Sequence, residues 1–363
     1  LHTPGHTMES TTFLLIDENG KDHAIFSGDT LFLGDVGRPD LAQKAADMTQ
    51  EQLAGTLYES LRNKIMPLAD DVIVYPAHGA GSACGKNMMK ETVDTLGNQK
   101  KVNYALRADM TKEEFVQEVT EGLQAPPAYF PMNVKLNKEG YKSIDEVLER
   151  GQYALSPKAF EVAANETGAM VLDVRSKVDF VQGHVPRSIF IGLDGSFAPW
   201  VGELIVDVTT QILLVVDPDR VEEAVTRLSR VGFDNTIGYL EGGFEAWKAA
   251  GLEVDSVSQV TAEELAQMED AVIVDVRRSS EFQAEHVDGA ISVPLREIND
   301  HLASLPSDKT FQIHCASGFR SVIAASILKA RGIHNLQDVI DGMNALQETD
   351  LKMTDYVCPS TLK

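Results

Sequence analysis

The sequence predicts an α/β protein in which two related modules with parallel sheets follow an N-terminal region of a different kind. The modules repeat one strand pattern, Val-Leu-Asp-Val-Arg at 171–175 and Ile-Val-Asp-Val-Arg at 273–277. A histidine follows the aspartate at the same interval in both, His184 in the first copy and His286 in the second. Strand-like and helical segments alternate in both copies, which is typical of a parallel sheet that helices cover.

Length and composition limit the class of protein. A chain of 363 residues is long enough for two or three domains. The formal charge of −23 argues against a nucleic-acid partner, because phosphate backbones attract basic surfaces. Three cysteines are too few for a disulfide framework and fit a reducing compartment, so we expect a cytoplasmic protein. The sequence predicts neither a membrane span nor a signal peptide.

The most informative stretch is the loop Cys-Ala-Ser-Gly-Phe-Arg at 315–320. An apolar, β-prone run precedes it and helical spacing follows it, so Cys315 is predicted to lie between a buried strand and a helix. The helix dipole, the backbone N–H groups of the loop and the Arg320 cation would all favour a thiolate there. A reactive cysteine is therefore predicted, although a lone buried cysteine is usually structural.

This loop resembles the active-site loop of the rhodanese (sulfurtransferase) family, in which backbone amides surround a cysteine persulfide. Two further segments support the resemblance, the strand with Asp-Val-Arg at 272–277 and Glu-His-Val-Asp-Gly-Ala at 285–290; Glu285 and Ser292 depart from the family's pattern. The resemblance covers about residues 256–355. The site residues that it implies are the catalytic Cys315 and Arg320 and the loop residues Ala316, Ser317, Gly318 and Phe319.

The two copies differ at the position of the cysteine. In the first copy a strand-like run at 212–216 leads into Asp-Pro-Asp-Arg, so we expect Asp217 to stand where Cys315 does. A carboxylate is a weak nucleophile toward sulfane sulfur, and acidic side chains would repel an anionic donor. The first copy is therefore predicted to be catalytically silent. In the second copy, Asp275 and Arg277 are expected to form a structural ion pair, and His286 to be a packed loop residue.

Loops beside strand-like runs of the N-terminal region carry histidine or aspartate. His6 lies in the opening His-Thr-Pro-Gly-His-Thr segment, Asp29 follows a run at 23–26, and His78 follows a run at 71–75. Imidazole nitrogens and carboxylate oxygens that converge in this way are the usual ligands of a transition metal. The sequence therefore predicts a metal site formed by His6, Asp29 and His78.

The order of these residues resembles the metallo-β-lactamase superfamily, which includes glyoxalase II and the persulfide dioxygenases. The resemblance implies the C-terminal part of an αββα sandwich, with His6 and Asp29 as metal ligands. It also implies that His78 binds a second metal in a two-metal hydrolase, or lies beside the site in a one-iron dioxygenase. Two segments resemble the dioxygenase branch, at 34–40 and, as in bacterial versions fused to rhodanese domains, at 126–131.

The family's upstream His-x-His-x-Asp-His motif is missing from this sequence, which begins at Leu1. We therefore expect the missing N-terminal segment to exist in the native protein, and we expect no metal chemistry without it. Half of a sandwich would expose sheet edges and an apolar face. Cys84 is interpreted as a small residue in a glycine-rich loop, with a thiol near the substrate mouth as the alternative; Cys358 is interpreted as incidental.

Together these features define three domains and one preferred function. The boundaries are 1–140 for the metallo-β-lactamase-like portion with a linker, 141–255 for the first rhodanese-like copy and 256–363 for the second. The preferred function is sulfane-sulfur metabolism, in which Cys315 takes sulfur from thiosulfate or a low-molecular-weight thiol persulfide and passes it to a glutathione-like thiol. The metal domain, when complete, would oxidise thiol persulfide with iron(II), with zinc as the alternative metal.

Two other functions remain open. The metal domain could be a zinc thioester hydrolase similar to glyoxalase II, or both rhodanese-like copies could be non-enzymatic modules that sense persulfides or dock proteins. The sequence leaves undecided the physiological donor and acceptor, the metal and the oligomeric state, a homo-oligomer being one option.

Overall fold

The computed structural model of the chain describes residues 1–82, 84–123, 129–205 and 207–358, without the side chains of Lys44 and Ala45. The chain divides into two compact units, Leu1–Val134 and Lys135–Lys363. Within the described ranges, no helix is both long enough and apolar enough to span a membrane. The start of the proline-rich segment, at 126–128, lies outside the described residues.

The first unit contains a mixed four-stranded sheet. The strands are β1 (Phe13–Ile16), β2 (Asp22–Gly28), β3 (Ile73–Pro76) and β4 (Asp94–Thr95). They lie in this order in the sheet, and β2 and β3 are parallel whereas the outer pairs are antiparallel. The helices are α1 (Gln43–Ala46), α2 (Gln50–Ser60), α3 (Leu96–Val102) and α4 (Lys112–Thr120), and α5 (Phe130–Glu139) runs across the boundary between the two units. Helix α5 occupies the stretch that we expect to be a linker.

The two faces of this sheet differ in burial. Ile25 and Val74 are fully buried in a core that includes Leu57 of α2 and Phe115 of α4. Their strand neighbours point to the opposite face, because successive side chains alternate along a strand. On that face the side chains are large, apolar and exposed, namely Phe13 (69%), Phe26 (47%) and Tyr75 (39%). The exposed apolar face that half of a sandwich would have is therefore present.

The first rhodanese-like copy is a five-stranded parallel sheet in the order β5-β9-β8-β6-β7. Its strands are β5 (Ala154–Leu155), β6 (Met170–Asp173), β7 (Ile189–Phe190), β8 (Ile212–Val215) and β9 (Thr236–Leu240). Its helices are α6 (Ile144–Gly151), α7 (Pro157–Thr167), α8 (Lys177–Gln182), α9 (Phe197–Leu204), α10 (Val221–Ser229) and α11 (Gly243–Ala249).

The second copy repeats this topology in the order β10-β14-β13-β11-β12. Its strands are β10 (Gln259–Val260), β11 (Ile273–Asp275), β12 (Ile291–Ser292), β13 (Phe311–His314) and β14 (Leu336–Val339). Its helices are α12 (Ala262–Ala266), α13 (Ser279–Ala284), α14 (Phe319–Ala330) and α15 (Gly342–Leu346).

Helix starts follow from local sequence. Helices α2, α4 and α12 each begin with a capping box, in which a threonine side chain and a glutamine or glutamate three residues later bond to each other's backbone N–H. A cap of this kind stabilises a helix by about 1 kcal/mol. The sequence pattern Thr-x-x-Glu/Gln therefore decides where these helices start.

Helix α14 is buried along most of its length because it also packs against the first copy. The backbone N–H of Phe190 on β7 donates to Ser326 Oγ on α14 at 2.9 Å. The Phe190 and Phe319 rings lie 5.7 Å apart in an edge-to-face arrangement. The ion pair of Lys329 with Asp255, at 3.1 Å, adds a polar contact between the copies. The first copy therefore supports the helix that follows Cys315.

Candidate functional sites

The strand register of the two sheets identifies the residues that correspond. Asp173 on β6 pairs with Val215 on β8, and Asp275 on β11 pairs with His314 on β13. The two aspartates occupy the same position of the sequence repeat. Val215 therefore corresponds to His314, and the residues that follow them correspond as well.

The first copy has a valine at the position of the cysteine. Val216 corresponds to Cys315, and both are 1% exposed. The expectation that Asp217 stands there is wrong by one residue, because Asp217 corresponds to Ala316. The apolar run at 212–216 continues one residue beyond the paired strand β8, so composition alone does not mark the strand end. Valine carries no nucleophile, and the prediction of a silent first copy now rests on this aliphatic side chain.

A proline makes a second difference between the loops. Pro218 corresponds to Ser317 and opens a 3-10 turn. Since proline has no backbone N–H, this loop offers one hydrogen-bond donor fewer to an anion. The turn also carries Arg220, which forms ion pairs with Asp194 at 3.1 Å and Glu223 at 2.9 Å.

In the second copy, the loop after β13 is held by its carbonyl groups. Each of its first three carbonyl oxygens accepts a hydrogen bond from outside the loop. The donors are Met343 N–H to the Cys315 oxygen (2.7 Å), Asn344 N–H to the Ala316 oxygen (3.1 Å) and Lys177 Nζ to the Ser317 oxygen (3.0 Å). Two anchors come from the start of α15, and the third comes from the first copy.

The same arrangement leaves the amides of the loop available. In a planar trans peptide the N–H points away from the carbonyl before it. The backbone N–H groups of Ala316, Ser317 and Gly318 therefore point opposite to the three anchored carbonyls. Among the described residues, no hydrogen bond uses these three N–H groups. The loop thus offers a set of unpaired donors beside the buried Cys315 side chain, which suits a bound anion.

Glycine is required at the first residue of α15. Gly342 has φ of +53°, in the left-handed region that favours glycine. A Cβ built on Gly342 would lie less than 3 Å from the carbonyl oxygen of Cys315. The close approach of these two backbones is what allows Met343 N–H to anchor the cysteine carbonyl.

Arg320 forms an ion pair that the sequence analysis does not include. Its two Nη atoms donate to the two carboxylate oxygens of Glu281 on α13, at 2.6 and 2.8 Å. These hydrogen bonds raise the pKa of Arg320. Burial alone would raise the pKa of Glu281, but the bonds from Arg320 lower it overall. Arg320 is therefore held in place as one half of a bidentate pair rather than as an isolated cation.

Asp275 and Arg277 form the structural ion pair that the sequence predicts. Arg277 donates twice to Asp275 Oδ2, from Nε at 2.9 Å and from Nη2 at 2.7 Å, and Nη2 also donates to the Glu285 carbonyl. His286 stacks on Phe282 with ring centroids 3.6 Å apart and bonds through Nδ1 to its carbonyl at 2.7 Å. Both predictions, the ion pair and the packed histidine, are confirmed.

His314 lies directly before the cysteine and is fully buried. Its Nδ1 is 3.1 Å from the Cys315 carbonyl oxygen, and its Nε2 is 3.8 Å from Asp275 Oδ2. Burial lowers the pKa of His314. No sequence pattern marks His314, since a histidine at the end of a strand carries no distinctive signal.

In the first unit, the carboxylate of Asp29 lies between two histidines. His6 Nε2 is 3.1 Å from Asp29 Oδ2, and His78 Nε2 is 3.4 Å from Asp29 Oδ1. Burial alone would raise the pKa of Asp29, but the hydrogen bond from His6 and the charges of both histidines lower it. The structure therefore brings together all three side chains that the sequence predicts at a metal site.

The segment 34–40 fixes the orientation of His6. The Nδ1 atom of His6 is 2.9 Å from the Arg38 carbonyl oxygen, and this contact directs Nε2 toward Asp29. A Cβ on Gly37 would lie less than 3 Å from the Asp29 carbonyl oxygen, so a side chain does not fit at this position. Arg38 is in turn held by Asp40 through two hydrogen bonds at 2.7 and 2.8 Å.

Cys84 belongs to the same cluster. Its Sγ lies with ligand atoms of Asp29 and His78 in a group whose members are all within 4.8 Å of one another. Burial, and then the negative charge of Asp29, raise the pKa of the Cys84 thiol. Imidazole, carboxylate and thiolate are the ligands of zinc and of non-haem iron. The donor set therefore fits a transition metal, and the structure places the Cys84 thiol beside Asp29 and His78.

The rhodanese-like domain family matches residues 156–250 and 259–349, just over half of the chain. The chain belongs to this family. The thiosulfate sulfurtransferase PspE of Escherichia coli K12 is 36% identical over 67 residues, 18% of this chain and 64% of that protein. The persulfide dioxygenase ETHE1 of Homo sapiens is 34% identical over 116 residues, 32% of this chain and 37% of that protein.

A solved structure supports the similarity to the metallo-β-lactamase fold. The crystal structure of a metallo-β-lactamase from Staphylococcus aureus COL matches with a TM-score of 0.52 and 30% identity, over 66% of this chain and 64% of that chain. This rhodanese-family chain is thus a metallo-β-lactamase-fold portion fused to two rhodanese-like domains, and the predicted fold class is confirmed. The chain spans about a third of the length of several curated relatives that it matches.

Proposed function

We propose that the chain is an enzyme of sulfane-sulfur metabolism whose second rhodanese-like copy carries sulfur as a persulfide on Cys315. The observation that carries the proposal is the set of three unpaired backbone N–H groups, those of Ala316, Ser317 and Gly318, beside a buried cysteine. Membership of the rhodanese-like family and similarity to a thiosulfate sulfurtransferase support the same chemistry.

The transfer needs two displacement steps at sulfur. The Cys315 thiolate attacks the outer sulfur of thiosulfate, so a new S–S bond forms while the donor S–S bond breaks and sulfite leaves with the electron pair. A low-molecular-weight persulfide reacts in the same way and releases its thiolate. The loop N–H groups then stabilise the negative charge on the terminal sulfur. A glutathione-like thiolate attacks that sulfur and releases the Cys315 thiolate.

The test is the intact mass of the protein after exposure to thiosulfate. We expect a gain of one sulfur atom that cyanide removes, and no such gain in Cys315→Ser. Cys84→Ser and Cys358→Ser are the matched controls, since each removes a different thiol and leaves the loop unchanged. A gain of sulfur that persists in Cys315→Ser would assign the sulfur to another thiol, and no gain in the wild-type protein would mean that the loop binds an anion without carrying sulfur.

We further propose that the first unit, when complete, oxidises a thiol persulfide. Similarity to human persulfide dioxygenase and the clustered donors support this role. His6 and Asp29 would hold the metal, with iron(II) as the preferred ion, and Cys84 and His78 lie beside them. Bound iron(II) would supply the activation of dioxygen. The chain's own contribution is to orient His6 through the Arg38 carbonyl and to keep Asp29 ionised.

The metal proposal is tested by metal content. We expect His6→Ala and Asp29→Ala to lower iron binding after anaerobic loading, whereas His23→Ala, an exposed histidine of the same unit, leaves it unchanged. Oxygen uptake with glutathione persulfide then tests the oxidation. Iron occupancy that stays at the wild-type level in His6→Ala and Asp29→Ala would contradict their assignment as metal ligands.

A second candidate, a zinc thioester hydrolase, is favoured by one feature of the cluster. Each oxygen of the Asp29 carboxylate faces a different histidine, His6 or His78. Asp29, His6 and His78 would together hold two zinc ions, and zinc would lower the pKa of a bound water. The hydrolase should hold two metals and cleave a glutathione thioester without oxygen, whereas the dioxygenase should hold one metal and consume oxygen.

A further inference from the structure

We infer that Lys177, a residue of the silent first copy, is a positioning residue of the sulfur-carrying loop in the second copy. The silent copy would then complete the sulfur site rather than serve as a spacer. This inference rests on the proposed function of Cys315 and adds to it a residue from another domain.

Lys177 anchors the loop at a position that the described residues of the second copy do not hold. The carbonyls of Cys315 and Ala316 are held by backbone N–H groups of their own copy, but the Ser317 carbonyl is held by the Lys177 ammonium at 3.0 Å. The peptide that follows Ser317 belongs to Gly318, whose φ of +79° lies in a region that glycine enters and leaves easily. Lys177 therefore fixes the plane of the peptide that presents the third N–H group to the cysteine.

The Lys177 ammonium group also lies close to the loop backbone. A Cβ on Gly318 would lie 3.1 Å from Lys177 Nζ, so the ammonium group packs directly against the loop backbone. Hydrogen bonding of a cation to a carbonyl oxygen also polarises the peptide, which strengthens its N–H as a donor. Lys177 thus contributes both a fixed geometry and a positive charge.

The charged residues that line the neighbouring cavity also favour a role for Lys177. A cavity of about 200 Å³ lies between the copies, and its described lining residues include Lys177, Gly318, Asp338 and Asp341. Lys177 is the basic residue among the described residues of that lining, which include two acidic ones. Asp338 is 1% exposed; burial raises its pKa to about 6, and the Lys177 charge opposes this shift. Without Lys177, the loop would face two carboxyl groups with no cation between them.

A fourth observation concerns helix α8. Lys177 is the first residue of this helix, where the positive end of the helix dipole disfavours a cation. A residue that conflicts with its local environment often serves a role elsewhere in the fold. The contact with the sulfur loop provides that role.

The experiment measures how fast the neutral reagent iodoacetamide alkylates Cys315, as a function of pH, with the modified peptide quantified by mass spectrometry. We expect the midpoint of this profile to move upward by about half a unit to one unit in Lys177→Gln, because a nearby cation favours the thiolate. In Lys177→Arg, which keeps the positive charge, the midpoint should stay close to the wild-type value. Loading of sulfur from thiosulfate should slow about three- to tenfold in Lys177→Gln, since one pKa unit corresponds to a factor of ten.

Two control variants make the test specific. Lys158→Gln removes the same charge from the same copy, at an exposed residue of α7 outside the cavity lining, and should leave the profile unchanged. Asp341→Asn removes a negative charge from the cavity wall and should move the midpoint downward. Asparagine tolerates the φ of +56° at this position. The other charged and titratable groups at the loop stay the same in all variants, namely Arg320, Glu281, Asp275, Arg277, His314 and Asp338.

The outcomes separate this inference from the proposed function. A Lys177→Gln profile that overlays wild type, or an equal shift in Lys158→Gln, overturns the role of Lys177. Failure of the wild-type protein to gain sulfur on Cys315 overturns the proposed function, whatever the alkylation profiles show. A shift in Lys177→Gln without sulfur loading would support positioning of the loop and reject sulfur transfer.

Discussion

The two rhodanese-like copies share a frame and differ in one loop. In both, an arginine two residues after the strand aspartate is bonded to that aspartate, with Nη2 at 2.6 Å in the pair of Arg175 and Asp173 and 2.7 Å in the pair of Arg277 and Asp275. In both, a histidine bonds to the carbonyl four residues before it, His184 at 2.9 Å and His286 at 2.7 Å. This shared scaffold is therefore present both in the copy that has a nucleophile and in the copy that lacks one.

The difference is confined to the few residues after the central strand. Val216 and Pro218 in the first copy replace Cys315 and Ser317 of the second, so one copy lacks both the thiol and one of the loop donors. The comparison teaches that the sheet and its buried ion pair specify where a loop lies. The chemistry of the loop depends on its own side chains and on its free N–H groups.

The prediction with the largest expected effect tests whether a thiol alone would enable the first copy to load sulfur. Val216→Cys places a thiol in the silent copy, and in the Cys315→Ser background we expect no sulfur loading, because Pro218 supplies no N–H and the turn is differently built. Intact mass after thiosulfate treatment measures the result. A cyanide-removable sulfur on the introduced thiol of the double variant would break the comparison, since it would mean that the frame suffices.

The next prediction concerns the anchor of the loop. Gly342→Ala should lower the free energy of unfolding by about 2–4 kcal/mol and abolish sulfur transfer, because its Cβ would collide with the Cys315 carbonyl. The matched change is Gly243→Ala in the first copy, where the Val216 carbonyl oxygen is 3.5 Å from the new Cβ. That variant should lose only about 1–2 kcal/mol, from its left-handed backbone. Urea unfolding of both variants measures the difference, and equal losses would contradict the prediction.

The third prediction is a difference in acid sensitivity between the copies. Burial lowers the pKa of His184 to about 4, so in the folded state the ring stays neutral while the unfolded chain takes up a proton near pH 6.5. The stability of the first copy should therefore be full above about pH 6.5 and fall by about 1–3 kcal/mol as the pH drops toward 4.

Tryptophan fluorescence measures this acid sensitivity, since both tryptophans, Trp200 and Trp247, lie in the first copy. His184→Gln should flatten the dependence of urea unfolding on pH, and His286→Gln should leave it unchanged. An unchanged slope in His184→Gln would assign the acid sensitivity of the first copy to other groups.

The smallest effect is expected at the Arg320 ion pair. Glu281→Gln should destabilise the second copy by about 1 kcal/mol, because the pair is partly exposed. The lowered pKa of Glu281 means that this contribution is present at neutral pH and disappears as the pH falls below about 4. The corresponding residue of the first copy is Asp179, which bonds to Ser176, and Asp179→Asn is the control. The free energy of unfolding, followed by urea titration, should differ between Glu281→Gln and wild type at pH 7, and the difference should shrink as the pH is lowered through 4 and below.

Much of this organisation could be predicted from local sequence patterns. The repeat of Asp-Val-Arg followed by histidine reflects a buried ion pair and a turn that each copy needs for its own fold, so it appears in the sequence at a constant interval. The candidate loop at Cys315 is also local, because a strand, a turn and a helix follow one another along the chain. His6, Asp29 and His78 could be grouped because each lies in a loop beside a predicted strand.

The remaining features depend on contacts between distant parts of the chain. The correspondence of Val216 with Cys315 is set by strand register, because hydrogen bonding between β6 and β8, and not the apolar run, decides where the strand ends. Glu281 and Lys177 reach the loop from other helices, and no local pattern marks them. From the sequence, Cys84 is interpreted as a small loop residue, and only the fold shows that its sulfur lies close to Asp29.

By itself, the sequence determined the parallel α/β modules, their repetition and the identity of the candidate nucleophile, since these follow from periodicity and from residue type. The tertiary structure decided which groups surround that nucleophile. Three carbonyls of one loop are anchored by two different domains, and only folding brings those anchors within hydrogen-bond distance of it. A hydrogen bond depends on separation in space, and separation along the chain does not reveal it.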